Sequence, residues 1–237
     1  MNNTKISSAE ITRLKGMGFL LNRGTNLFSG RIVSAGGVYT AEQLNTIAEC
    51  SKKFGNGKIA FTSRLDPEIV GIPYEKIDEA SALLKECGLS FGGTGAKIRP
   101  VVACKGTTCV YGNYDTQALA KEIHERHYVG WGDVKLPHKF KIAVGGCPNS
   151  CMKPSLNDFG VEGHRFPQYD REKCHSCKSC FVAAACPMKA AIIDSEGKLS
   201  IQKDLCAACG VCNGKCPFKA VAHHNHVKFK VFVGGTW

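Results

Sequence analysis

The sequence predicts an α+β protein made of two or three small domains, and three observations support this. Residues 1–95 alternate short apolar segments with helical patterns. Residues 170–220 form a cysteine-rich internal repeat of a different character. The chain has 237 residues, of which 43% are hydrophobic, which is enough for separate cores rather than disorder.

The first region reads as strand, helix, strand, helix. A strand is predicted over residues 30–34, before a Gly-Gly turn. Thr40 and Gln43 then form a capping-box pattern, followed by Leu44, Ile47, Ala48 and Phe54 at helical spacing. A second strand is predicted over 58–63 and a second helix over 74–87. This order predicts a ferredoxin-like or similar two-layer unit.

The next region begins with a short apolar strand over 100–103 that leads into Cys104. Asp115 is expected to cap a helix that runs to about Tyr128. A strand over 139–145 then ends at the turn holding Cys147. After the cysteine-rich repeat, the last eleven residues predict one more strand and a Gly-Gly turn before Trp237.

Composition excludes several classes of function. The chain lacks a run of 18 apolar residues and a signal-peptide core, so we expect a cytoplasmic protein that does not bind membranes. Its formal charge is +11, which is also typical of nucleic-acid binding. Bound anionic groups explain this excess better than nucleic acid does, because thiolate-ligated clusters carry negative charge.

Fourteen cysteines are the strongest chemical signal in the chain. Disulfides are rare in the cytosol, and close spacing favours metal ligation. Cys50 and Cys87 stand alone among apolar neighbours and are expected to be buried thiols. The other twelve fall into close-spaced groups, which are Cys104/Cys109, Cys147/Cys151, Cys174/Cys177/Cys180/Cys186 and Cys206/Cys209/Cys212/Cys216.

The last two groups resemble the motifs of bacterial two-cluster ferredoxins, although the first has five residues rather than three before Cys186. In that family, three closely spaced thiolates hold three irons and the fourth ligand comes from the other motif. The resemblance implies one [4Fe–4S] cluster on Cys174, Cys177, Cys180 and Cys216, and another on Cys206, Cys209, Cys212 and Cys186. Two zinc ribbons are the alternative, and would suit a nucleic-acid binder.

Residues 136–151 resemble the signature of sirohaem-containing sulfite and nitrite reductases, with KFK followed by GGCPNSC. In that family two cysteine pairs bind a [4Fe–4S] cluster, and the last cysteine also ligates the sirohaem iron. The resemblance therefore implies a third cluster on Cys104, Cys109, Cys147 and Cys151, with Cys151 as the axial thiolate. It also implies an oxidoreductase that draws electrons from the ferredoxin segment.

Family members use arginines and lysines to neutralise the sirohaem carboxylates and hold the oxyanion. Strand alternation places Lys139 and Lys141 on one face. The resemblance adds catalytic roles for these two lysines and both catalytic and sirohaem-binding roles for Arg31, Arg64 and Arg99. A lysine at position 141 favours sulfite, because nitrite reductases of the family commonly have asparagine there.

The leading hypothesis is an anaerobic sulfite reductase that reduces sulfite to sulfide with six electrons, closest to small enzymes with an inserted ferredoxin segment. Nitrite reduction to ammonia and a non-catalytic electron-transfer subunit are the alternatives. We expect an electron-donor protein or subunit, and a homo- or hetero-oligomer is compatible, because family enzymes usually contain two half-units. The expected order is a half-domain (1–95), a sirohaem domain (96–168), a two-cluster ferredoxin domain (169–221) and a returning strand (222–237), truncated or unusually short.

Overall fold

The structure is a computed structural model that describes residues 6–235. It confirms the α+β prediction, with two four-stranded sheets and one two-stranded hairpin. Residues 1–5 and the predicted end at Trp237 lie outside the described part. Within residues 6–235, none of the helices combines the length and the apolar character that crossing a membrane requires.

The first sheet and three helices form the N-terminal half. Its elements are α1 (Ser8–Gly16), β1 (Phe19–Leu21), β2 (Leu27–Arg31), α2 (Ala41–Phe54), β3 (Ile59–Phe61), β4 (Pro67–Pro73) and α3 (Ile77–Glu86). The strand order is β1-β2-β4-β3, and all neighbours are antiparallel. Helices α2 and α3 pack together over a core that includes the fully buried Phe28, Ile69 and Ile72. Sequence patterns did not identify α1, β1 or β4.

Helix α2 begins where the sequence predicts. The Thr40 hydroxyl accepts a hydrogen bond from the Gln43 N–H at 3.2 Å, and the Gln43 side chain accepts one from the Thr40 N–H at 3.0 Å. This capping box satisfies two amides that the helix leaves unpaired. The predicted core position of Leu44 is wrong, because that side chain is 43% exposed. The buried stripe is instead formed by Ile47, Cys50, Ser51 and Phe54.

The two isolated cysteines lie in this half. Cys50 is fully buried in the core, and burial raises the pKa of its thiol to about 11. Cys87 is half-buried and packs against the same core. Both therefore behave as small apolar side chains, as predicted.

The second sheet gathers strands from distant parts of the chain. Strands β5 (Val102–Ala103), β6 (Ile142–Gly145) and β7 (Phe159–His164) are parallel, and the late strand β10 (Lys228–Val233) adds antiparallel to β7. Asp115 caps α4 (Thr116–Ile123), and the helix continues as a wider turn through His124–Val129. Apolar residues of α4 pack on β5 and β6, which places the carboxyl ends of these two strands together.

Residues between β7 and β10 form a small cysteine-rich unit. It contains the short helix α5 (Phe181–Ala185) and a hairpin of β8 (Ala191–Ile193) and β9 (Leu199–Ile201). Its core is small, with Val182, Leu199 and Val221 buried against several of the cysteines. A core of this size provides little hydrophobic stabilisation by itself, so bound clusters would contribute much of the stability of this unit.

Candidate functional site

All five predicted cations line one cavity of about 220 Å³, between the N-terminal half and the second sheet. They come from four separate places in the chain: the end of β2, the loop before β4, the segment before β5 and the segment before β6. Sequence spacing alone could not bring these places together. The wall consists of Arg31, Arg64, Arg99, Lys139 and Lys141, with Thr62, Ser63, Val102, Met152 and Asn157 between them.

Lys139 and Lys141 reach this cavity from a different local structure than predicted. The regular strand begins only at Ile142, so the predicted start at residue 139 is wrong. Before it, the Lys141 N–H donates to the Asp158 carboxylate at 2.7 Å, and Phe140 forms only an isolated bridge, with Ile98. Burial lowers the pKa of Lys141, and the positive charges of Lys139, Arg64 and Arg99 lower it further.

Arg31 and Arg99 meet at the backbone of Gly93. The Arg31 guanidinium donates to Glu68 at 2.5 and 2.8 Å and to the Gly93 carbonyl at 3.2 Å. Arg99 donates to the same carbonyl, and burial lowers its pKa, with Arg31 lowering it further. Only one carboxylate, that of Glu68, forms an ion pair with this arginine pair within the described chain. Positive charge therefore remains in excess in this part of the cavity.

Arg64 joins the two halves of the site. Its guanidinium donates to the carbonyls of Pro100 and Ile142 at 2.7 and 2.9 Å, and to the Asn157 side chain at 2.9 Å. Burial lowers its pKa to about 10. The Nε of Arg64 is buried and has no hydrogen-bond partner among residues 6–235. An anion in the cavity could accept from this donor, since leaving it unpaired costs about 1–3 kcal/mol.

The first four predicted cluster cysteines lie beside the same strand ends. Cys104 directly follows β5, and Cys147 follows β6 after Gly146. The Gly146 N–H donates to the Cys104 sulfur at 3.2 Å. Burial raises the pKa of Cys147, and the nearby thiols of Cys104, Cys151 and Cys109 raise it further. The four sulfurs thus affect one another, as ligands of one centre would.

The cavity lies close to this group of thiols, because two of its lining residues are near cysteines in the sequence. Met152, which lines the cavity, follows Cys151 directly, and Val102 lies two residues before Cys104. The turn that contains Cys151 and Met152 has an unusual backbone conformation, with positive φ angles at Ser150 (53°) and Lys153 (47°). Such angles are costly for residues with side chains and are often found at functional sites. Thiols beside an anion cavity with an unpaired donor fit an iron–sulfur centre next to an anionic tetrapyrrole.

The two later cysteine motifs have the same backbone conformation. Ser176 and Ala208 each lie two residues after the first cysteine of their motif, with φ angles of 49° and 52°. Lys189 and Lys219 each lie three residues after the last cysteine, with φ angles of 52° and 58°. The five residues between Cys180 and Cys186 form the short helix α5 (Phe181–Ala185), which accommodates the longer spacing of this motif.

The structure also brings together four cysteines that the resemblance assigns to one cluster although they belong to two different motifs. Cys186 lines one small cavity together with Cys206, Cys209 and Cys212, although it belongs to the other motif. Burial raises the pKa of Cys212 to about 11, and the thiols of Cys209, Cys206 and Cys186 contribute in the same direction. Among residues 6–235, no three Cys, His, Asp or Glu side chains are close enough together to hold a single metal ion.

Two residues near the cavity escaped sequence reasoning. Asn157 is 2% exposed, accepts from Arg64 and donates to the Lys153 carbonyl at 3.1 Å. Asp66 is 1% exposed, and its Oδ2 has no hydrogen-bond partner in the described chain. Burial raises the pKa of Asp66 to about 7 despite the nearby Arg31 and Arg64. A buried polar side chain carries no sequence signal of its own, so only the fold reveals these two.

The fold and the site define a protein with a cationic cavity beside a group of cysteines. Residues 94–237 match the family model of the nitrite and sulphite reductase 4Fe-4S domain. Residues 21–87 match that of the nitrite/sulfite reductase ferredoxin-like half domain. The chain therefore belongs to the nitrite and sulphite reductase family.

Curated relatives carry related names. The chain is 35% identical to the coenzyme F420-dependent sulfite reductase of Methanocaldococcus jannaschii over 70% of its length, which is 25% of that protein. It is 30% identical to one subunit of the anaerobic sulfite reductase of Salmonella typhimurium over 69% of its length, which is 50% of that relative. The chain thus spans between a quarter and half of the length of these two relatives.

Solved structures support the same fold. A crystal structure of dissimilatory sulfite reductase I superposes with a TM-score of 0.66 over 88% of this chain and 54% of that one, at 23% identity. The NirA protein of Mycobacterium tuberculosis superposes with a TM-score of 0.59 over 67% of this chain and 33% of that one. At these identities the likeness establishes the fold alone.

Proposed function

We propose that this chain is the sirohaem- and [4Fe–4S]-binding part of a sulfite reductase that reduces sulfite to sulfide. The observation that carries the proposal is that the cationic cavity lies close to the first four cysteines, through Met152 and Val102. Electrons held at a cluster on these thiols would be adjacent to an anion held by the cations. The names of the relatives agree with this reaction.

Sirohaem and its attached cluster would supply the redox chemistry, and the protein would supply binding and electrostatics. Cys104, Cys109, Cys147 and Cys151 would hold the cluster, with Cys151 as the thiolate shared with the sirohaem iron. Arg31, Arg64 and Arg99 would neutralise the tetrapyrrole carboxylates and help to hold the substrate. Sirohaem fits here because Arg64 Nε needs an acceptor and the cavity has excess positive charge.

Lys139 and Lys141 would hold the oxygens of the substrate. A partly buried cation stabilises developing negative charge more strongly than one in bulk water. The lowered pKa of Lys141 also makes its ammonium a better proton donor than an ordinary lysine. Lys141 is therefore the residue that we expect to bind oxygen and release protons as the oxygens leave as water.

The segment 169–221 would be an inserted two-cluster ferredoxin domain, following the half-domain (1–95) and the sirohaem domain (96–168), before the strand within 222–237. Its support is the matched positive φ angles of the two motifs and the crossed gathering of Cys186 with Cys206, Cys209 and Cys212. The chain would then bind three [4Fe–4S] clusters. A cytoplasmic electron-donor protein or subunit would reduce them, within a homo- or hetero-oligomer.

Anaerobic purification, absorption spectroscopy and acid extraction of the tetrapyrrole would test the proposal. We expect chlorin absorption bands, four irons per proposed cluster, and faster turnover of sulfite than of nitrite with a reduced viologen. Lys141→Ala should remove most sulfite turnover, whereas the exposed Lys121→Ala should not change it. Iron and sulfide without a chlorin would instead indicate an electron-transfer subunit, and turnover of nitrite alone would indicate a nitrite reductase.

A further inference from the structure

Arg165 connects the second cysteine motif to the rest of the protein. It directly follows β7, and its backbone N–H donates to the Ala208 carbonyl at 2.7 Å. Arg165 and Cys209 form an isolated parallel bridge between the two backbones. The side chain of Arg165 lines the same cavity as Cys186, Cys206, Cys209 and Cys212. This cation therefore lies at the cysteines and also at the end of β7, an inner strand of the second sheet.

The guanidinium of Arg165 reaches the loop after the first cysteine pair. It donates to the carbonyl of Asn113 at 2.8 Å. Asn113 is itself 6% exposed and held from two sides. Its N–H donates to the Gly146 carbonyl at 3.0 Å, and its side chain donates to the Gly163 carbonyl at 3.2 Å. This junction is therefore rigid and buried.

Gly146 completes the connection. It accepts from Asn113 at 3.0 Å, donates to the Cys104 sulfur at 3.2 Å and is covalently bonded to Cys147. An unbroken series of short hydrogen bonds thus runs from the backbone beside Cys209 through Arg165, Asn113 and Gly146 to Cys104. Gly210 packs so closely here that a Cβ would lie 2.7 Å from the Asn113 side-chain oxygen.

The other predicted cluster set has a different environment; it consists of Cys174, Cys177, Cys180 and Cys216. Cys177 is exposed to solvent, and Lys178 beside it is exposed as well. The sulfur of Cys174 accepts from the Leu199 N–H at 3.4 Å, which is a contact inside the cysteine-rich unit. Lys215 and Lys219, which flank Cys216 in the sequence, are also exposed. Cys177 of this set therefore faces the solvent beside basic side chains and the other three are partly buried, whereas none of Cys186, Cys206, Cys209 and Cys212 is exposed.

We propose that the cysteine-rich unit is polarised, with Cys186, Cys206, Cys209 and Cys212 as the inner site and Cys174, Cys177, Cys180 and Cys216 as the outer site. Arg165 is the positioning residue that couples the inner site to the Cys104/Cys109/Cys147/Cys151 site. The outer site takes one electron at a time from an external one-electron carrier. Each transfer oxidises one site by one electron and reduces the next by one. The inference rests on the iron–sulfur content of the proposed function, and not on its substrate.

The charge of Arg165 gives a second consequence. A cation at a cluster stabilises its reduced form, because that form carries more negative charge. The Nε of Arg165 is buried without a hydrogen-bond partner in the described chain, so its charge is little screened by solvent. Arg165→Met should therefore lower the reduction potential of the inner site, and Arg165→Lys should restore part of it.

Redox titration followed by electron paramagnetic resonance would test both statements on the purified chain with its clusters, without sulfite. Cys209→Ser should change the signal of the inner site, and Cys177→Ser that of the outer site. The magnetic coupling to the Cys104/Cys109/Cys147/Cys151 site should be altered in Cys209→Ser and kept in Cys177→Ser. Arg165→Met should shift the potential of the Cys209-dependent signal alone, while Arg23→Met, at an exposed arginine of the N-terminal half, should not.

Coupling that follows Cys177→Ser instead would overturn the assignment of the inner site. An equal shift in Arg165→Met and Arg23→Met would overturn the role of Arg165. If Arg165→Met loses iron, Arg165→Gln provides the same comparison with the charge removed, and an unchanged potential there with unchanged coupling in Cys209→Ser counts against the proposal. A chain that reduces no sulfite would still give these signals, so the two proposals fail separately.

Discussion

The buried carboxyl of Asp66 predicts an unusual dependence of stability on pH. Its pKa is raised by burial from 3.8 to about 7, so the folded protein keeps a proton that the unfolded chain releases above pH 4. Stability should therefore fall as pH rises from about 4 through about 7, and level off near about pH 8. The full difference is about 4 kcal/mol, since one pKa unit corresponds to about 1.4 kcal/mol.

Roughly half of this, about 2 kcal/mol, falls between pH 5.5 and pH 8. Asp66→Asn keeps the shape of the side chain and removes the ionisation, so it should be more stable than the parent at pH 8. For a chain of this size, the Tm difference between Asp66→Asn and the parent should be about 4–8 °C larger at pH 8 than at pH 5.5. Anaerobic thermal denaturation at both pH values measures it, with the exposed Asp133→Asn as control. An equal difference in Tm at both pH values would refute the reasoning.

Three further predictions concern the frame and the cavity. Thr40→Ala removes the capping box of α2 and should cost about 1 kcal/mol in thermal denaturation, more than Thr46→Ala in the same helix; equal losses would contradict it. Arg64→Lys keeps the charge but cannot donate to Pro100, Ile142 and Asn157 at once, so it should lower the free energy of unfolding by about 2–3 kcal/mol. No loss of stability would show that these three hydrogen bonds are dispensable. Lys141→Asn should shift turnover from sulfite towards nitrite in viologen assays, and an unchanged ratio would remove Lys141 as a selectivity residue.

The sequence predicted local elements well where the signal is local. The capping box at Thr40 and the cap at Asp115 depend on residues three apart, and both helices begin there. The start of β6 was misplaced because the Lys141 N–H pairs with the side chain of Asp158, 17 residues away, and not with the backbone of a neighbouring strand. Leu44 was misassigned because the choice of helix face depends on how α2 packs with β4 and α3.

The candidate site was predicted in its residues and not in its assembly. Cysteine spacing and the KFK segment pointed to ligands and cations through resemblance. The convergence of Arg31, Arg64 and Arg99 depends on how the first half packs against the second sheet. Asn157 and Arg165 have no motif, because each acts through a contact with a residue at least 50 positions away. Such partners are visible only once the chain is folded.

The most direct test of the central claim is sulfite turnover by the anaerobically purified chain, alone and with a candidate partner protein, followed by extraction of its cofactors. The account predicts that the chain retains a chlorin and that Cys151→Ser loses it. It also predicts one mole of sulfide from sulfite for every three electron pairs supplied. A chain that binds iron and sulfide but neither retains a chlorin nor produces sulfide, with or without a partner, would contradict it.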